Sequence, residues 1–247
     1  MVTGLLLSAC ASPLGWMEAP NTAGGATCAP PEDQARFLPL STFEQHEPDP
    51  AHWEAAVAPL REGDVIGYRM GAWEARALIL TGRLNALGYR LFRYGHLAIV
   101  ARDPDADDGG LAVFSSQSFM GPNTAEGIET LKDHSWDAYR LDRWDRVDAE
   151  RFEEFIAFAR AKAGAWYGYD FSGMFALWNS NLDPTDEAEI GHDYICSTVV
   201  VAALHYAGLK LDAWHRDGYL DLVTPYQVLQ SRGRFIPLPE RVEPLGP

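Results

Sequence analysis

The stretch Tyr194-Ile195-Cys196-Ser197-Thr198-Val199-Val200-Val201-Ala202-Ala203-Leu204-His205-Tyr206 decides how this chain folds. From Val199 to Leu204 every residue is apolar, so no polar stripe marks a solvent side. Periodicity alone does not separate a buried helix from a buried strand here. Length and the stop at Gly208 favour a helix, against the mild dissent of three consecutive valines. A helix that is apolar all round lies inside a soluble protein, so the other elements must cover it. Residues 64–69, 95–100, 111–117 and 136–141 read as strands, and the acidic, Gly-ended turn at 103–110 makes the middle two an antiparallel hairpin. An amphipathic helix is predicted over 148–164, with Phe152, Phe155, Ile156, Ala159 and Ala163 on one face and acidic residues in its first turns. Shorter helices are predicted over 51–60, 73–87 and 226–230, the last opened by Pro225, and a final strand over 234–238. The fold class is α+β, an antiparallel sheet packed on a buried helix that begins at Cys196.

Cys196 is then a thiol at a helix N-terminus, where unpaired N–H groups and the helix dipole favour the thiolate. A nucleophilic cysteine needs a base. Of seven histidines, His96 opens the apolar run of a strand, which can hold an imidazole against a helix end. His192 lies four residues before Cys196 in a loop, and His205 falls on the opposite side of the helix. His46, His52, His134 and His215 read as surface positions. A third polar group normally orients the base. With a hairpin turn near 106–107, the residue opposite His96 falls at Ser116–Gln117. Gln117 has the reach and an acceptor oxygen, with Ser115 and Ser116 as alternatives.

The composition removes several classes of function. Twenty basic against thirty-five acidic residues give a formal charge of −15, which disfavours nucleic acid and binding to anionic lipid through a basic patch. Three scattered cysteines (Cys10, Cys28, Cys196) form neither a disulfide framework nor a zinc pattern, and no cofactor motif is present. No apolar stretch reaches the roughly 20 residues of a membrane-spanning helix. The start differs: Leu5-Leu6-Leu7-Ser8-Ala9-Cys10 resembles a bacterial lipobox, shorter than a full signal and without preceding basic residues. It predicts a truncated lipoprotein-type signal over 1–10 with lipid attached at Cys10. A flexible tether over 11–45 and a single domain over 46–247 follow, giving a periplasm-facing lipoprotein of the bacterial cell envelope.

The order Gly63-Asp64-Val65-Ile66, Gly95-His96-Leu97-Ala98-Ile99-Val100, Tyr194-Ile195-Cys196-Ser197 and Thr224-Pro225-Tyr226 resembles the permuted NlpC-type cysteine hydrolases, nearest the YiiX/YebB-like set. The resemblance runs from about Arg61 to Leu238. It implies a circularly permuted papain-like fold and a Cys–His–polar triad with Cys196 as nucleophile and His96 as general base. It also implies cleavage of an amide, as in a cell-wall peptide, through an acyl-enzyme. The family often carries a glutamate on the strand after the histidine strand, whereas this chain has Ser115-Ser116-Gln117. Tyr226 matches the family's Thr-Pro-x pattern and is a candidate pocket residue, as are Tyr194 and Tyr68, with core packing the alternative for all three. A related permuted group resembling lecithin:retinol acyltransferase acts on acyl esters, but its Asn-Cys-Glu-His-Phe block is absent. The third reading is a non-catalytic binding module on a hydrolase fold.

Overall fold

Among the described residues eight strands form one sheet in the order β5-β4-β3-β2-β6-β1-β10-β8, with every neighbouring pair antiparallel. The strands are β1 (Gln34–Phe43), β2 (Val65–Arg69), β3 (Tyr94–Arg102), β4 (Leu111–Gln117), β5 (Gly121–Gly127), β6 (Trp136–Leu141), β8 (Leu209–Leu211) and β10 (Arg232–Phe235). Two short strands, β7 (Ser180–Asn181) and β9 (Tyr219–Leu220), pair separately. The computed structural model describes residues 34–45, 50–70, 80, 93–103, 109–117, 121–163, 180–181, 194–211, 219–220 and 224–238. The predicted helix over 73–87 lies outside them, apart from residue 80, as do the lipobox, Cys10, Cys28 and His192.

Both faces of the sheet are covered, each by its own apolar cluster. One face packs against α2 (Ala149–Ala163), α3 (Cys196–Tyr206) and α4 (Pro225–Gln230), through Val65, Leu97, Ile99, Phe114 and Leu141 among the strand residues. The other packs against α1 (Pro50–Val57) and a 3-10 turn (Ile128–Asp133), through Ile66, Ala98, Val100, Val113, Trp136 and Ala138. Strand side chains alternate between faces, so from Leu97 to Ala101 the odd and even residues of β3 separate into the two clusters. Ten of the eleven residues of α3 are buried, as an all-apolar helix requires.

Residues 34–43, read from sequence as tether, instead form a strand inside the sheet, between β6 and β10. Pro39 disguises it, since a proline cannot donate to a ladder. The structure accommodates Pro39 with a register shift between Pro39 and Ser41. That bulge reverses the alternation: Phe37 joins the α3-side cluster and Phe43, also odd-numbered, joins the α1-side cluster.

Gly63 turns the chain into β2 with φ +85°, a conformation costly for residues with a Cβ. A Cβ there would overlap the Trp144 ring. Gly63→Ala is expected to lower the unfolding free energy by about 2–3 kcal/mol, from backbone strain plus overpacking. A reduced urea midpoint would register it; an unchanged midpoint would contradict it.

Candidate functional site

The β3–β4 ladder pairs Ile99 with Phe114 and Arg102 with Leu111, and stops there. The same register, continued, sets Gln117 across from His96, as the hairpin arithmetic predicts. The main-chain groups of β3 show what fills the gap below. Val100 donates its N–H to Asp64 and accepts from Gly63, so even-numbered residues of β3 bond towards β2. Odd-numbered residues therefore turn their N–H groups towards β4. Leu97 has lost its β4 partner, and its N–H bonds the sulfur of Cys196 instead. On the opposite side of the gap, the Ser116 hydroxyl donates to the Tyr194 carbonyl. The start of α3 thus enters the seam where β3 and β4 part, with the thiol in hydrogen-bond reach of the residue next to His96.

The first turn of α3 is held locally. Ile195 has no polar side chain to cap it, so the Thr198 hydroxyl accepts from the Ile195 N–H at 3.0 Å and donates back to the Ile195 carbonyl. The N–H groups of Cys196 and Ser197 face the sulfur, and both favour the thiolate. Burial acts more strongly the other way: Cys196 is 5% exposed, and the thiol is pushed up to about 11. The expected low-pKa thiol at a helix start is corrected, because desolvation of the anion outweighs three backbone donors.

His96 stands opposite Tyr68 on β2. A register shift between Tyr68 and Arg69 leaves Gly95 as the extra residue of β3, reversing the pleat. Tyr94 therefore faces the α3 side, while His96 sits on the face of Ala98 and Val100 with its ring 5.4 Å from that of Tyr68. The ring lies on the far face from α3 and the thiol lies in the seam. Among the described residues no hydrogen bond joins them. Some surface of His96 is exposed, yet enough protein surrounds the ring to lower its pKa to about 4, first by desolvation and then by His134. At neutral pH the pair is a thiol and a neutral imidazole.

Gln117 lies at the end of β4, and its amide nitrogen is 3.5 Å from a carboxylate oxygen of Glu126 on β5. Glu126 pairs with Val113, so it shares the His96 face. Burial holds the Tyr68 hydroxyl protonated, and the Glu126 charge reinforces this. A carboxylate is thus present beside the site, one strand beyond where the resemblance implies it. Sequence reading missed it because Gly121-Pro122-Asn123-Thr124 has the composition of a loop.

The remaining candidates separate. Tyr194 is fully buried, its ring edge-on to Phe155 at 6.0 Å; its carbonyl serves the seam, and its ring is core rather than pocket lining. Tyr226, on α4, is half-buried against the α3-side cluster. Ser115 is buried on the Gln117 side of β4. His134 is exposed, as expected, but its ring packs edge-on to Tyr68 at 5.1 Å. His52 is not a free surface residue: its ring packs at a 41° tilt against that of Phe43, 5.7 Å away. Among the described residues no cluster of His, Cys, Asp and Glu is placed to hold a metal ion. No family model, curated protein or solved structure matches the chain.

Proposed function

We propose that the chain is a cysteine hydrolase with a circularly permuted papain-like arrangement, cleaving an amide bond through Cys196 and His96. The observation that carries this reading is the seam: a thiol at the first residue of a buried helix, bonded by the N–H of the residue that follows His96. His96, neutral at pH 7, takes the thiol proton as the sulfur attacks the carbonyl carbon. The developing oxyanion is met by N–H groups at the start of α3. The imidazolium then returns the proton to the leaving amine, and water releases the acyl group from sulfur. Closing the pair requires the His96 ring to turn from Tyr68 towards the seam, the tightening on substrate that unliganded sites commonly need. Gln117, held by Glu126, is the candidate third member. A lipid at Cys10 would tether the domain to the cell envelope, with a cell-wall peptide as the substrate class.

A thiol-directed acyl probe tests this. Labelling is expected in the parent protein and in Cys28→Ala, and is lost in both Cys196→Ala and His96→Ala. Equal labelling in all three variants refutes the assignment. Comparing peptidoglycan fragments with phospholipids then separates amide cleavage from acyl transfer on lipid esters. The non-catalytic reading draws support from the lack of a hydrogen bond between the thiol and the imidazole, and predicts that neither substrate class acylates Cys196.

A further inference from the structure

Three rings lie in a row across the face opposite α3: His96 on β3, Tyr68 on β2, and His134 at the end of the 3-10 turn. The Tyr68 ring is in the middle, tilted at 52° to His96 and at 89° to His134. The first contact joins directly paired strand residues. The second is built by a rigid frame. His134 donates its N–H to the Leu131 carbonyl at 3.3 Å, and the Trp136 indole donates to the same carbonyl at 3.1 Å. Leu131 and Trp136 are both fully buried, and Trp136 pairs with Tyr68. An exposed histidine between two such anchors has little freedom in where its backbone sits.

We propose that His134 is a positioning residue for His96: through Tyr68 it holds the His96 ring enclosed on this face and controls how readily that ring takes a proton. This rests on the reading of His96 as the general base. Among the described residues the groups facing His96 are few. β2 contributes Tyr68, whose hydroxyl stays protonated, and β4 contributes Gln117, which is uncharged. β5 contributes Glu126, and α3 contributes the Cys196 thiol from the seam. Lys132, on the same turn as His134, points elsewhere: it pairs with Glu129 and lies 5.0 Å over the Trp53 ring. The coulombic effect of His134 opposes a positive charge at His96.

Removing His134 acts in one direction by two routes. Loss of its charge makes a proton at His96 less unfavourable. Loss of its ring frees Tyr68 and admits water to His96. Both raise the His96 midpoint from about 4 towards the ordinary 6.5. His134→Phe takes away the charge and keeps the edge-on ring, so it should give the smaller rise.

The experiment is a histidine ring titration by NMR on the full chain, with the His96 signal assigned by its absence in His96→Gln. The expected order of midpoints is parent, then His134→Phe, then His134→Ala, with the last about one unit or more above the parent. The acidic limb of Cys196 acylation should move up with the midpoint in each variant, a readout that a merely structural role for His134 would leave in place. A His134→Ala midpoint equal to that of the parent overturns the proposal. If the parent protein is never acylated, the hydrolase reading fails, while the order of the midpoints still decides the ring stack.

Discussion

Asp64→Asn is expected to lower the unfolding free energy by about 3–5 kcal/mol, the usual cost of stripping one partner from a buried ion pair. Asp64 is 1% exposed. Its carboxylate accepts from Arg140 Nε at 2.8 Å and Nη2 at 2.7 Å, and from the Arg61 N–H at 2.9 Å. Arg140 also donates to the Pro59 carbonyl. The pair ties the end of α1 and the entry to β2 to the neighbouring strand β6. Asparagine keeps the shape but removes the charge, and one of its two polar atoms becomes a donor facing a guanidinium that only donates. Domains have about 5–15 kcal/mol in total, so the loss is a large share. A Leu/Met pair at positions 64 and 140 should recover much of it, since nothing charged is then left buried. Urea unfolding of the three proteins checks this; an Asp64→Asn midpoint matching the parent would rule it out. The Gly63-Asp64 pair that contributes to the sequence resemblance is therefore architectural. Gly63 makes room for Trp144, and Asp64 anchors Arg140.

What the sequence discloses about this fold follows from how local each feature is. The β3–β4 hairpin is legible because both strands are apolar enough to be continuous and the acidic turn fixes their register. The helices over 149–163 and 196–206 are legible from periodicity and from wholesale apolarity. β5 is not, because as an edge strand it has no need of an apolar alternation, and its Gly-Pro-Asn-Thr start reads as turn. β1 is hidden by Pro39, whose bulge only the sheet reveals. The site divides the same way. Cys196 and His96 stand out as residue types in suggestive places, and the hairpin register points to Gln117. His96 follows the regular alternation of Ala98 and Val100, whereas the face of Tyr94 depends on a one-residue bulge at Gly95, since a single inserted residue sends a side chain to the other side of the sheet. Neither the bulge nor the enclosure that raises the Cys196 thiol is written in any local pattern. Both come from packing between segments far apart in the chain.

The largest functional effect is expected at His96, and its pH dependence separates two ways of using a cysteine. With the thiol at about 11 and the imidazole at about 4, the resting pair is uncharged. Acylation should then rise through pH 4, as His96 loses its proton, and stay level from about pH 5 through 9. A preformed thiolate–imidazolium pair would instead lose activity as its imidazolium deprotonates at alkaline pH, giving a bell within that range. Replacement by Gln removes the base and should slow acylation by about 10²–10⁴-fold at pH 7. Simple alkylation of Cys196 by iodoacetamide should be slow at pH 7, about a hundredfold below an ordinary thiol, and climb steadily with pH. Stability has its own signature. The folded pKa lies below the ordinary 6.5, so above pH 6.5 neither state binds the proton and nothing is lost. As pH falls from 6.5 to 4 the unfolded chain takes up a proton that the folded chain refuses, and the unfolding free energy drops by up to about 3 kcal/mol. His96→Gln should remove that part of the acid slope while leaving the carboxylate contribution. Parallel acid slopes in the two proteins would mean that His96 is solvated like a surface residue, and the neutral-pair mechanism would lose its basis.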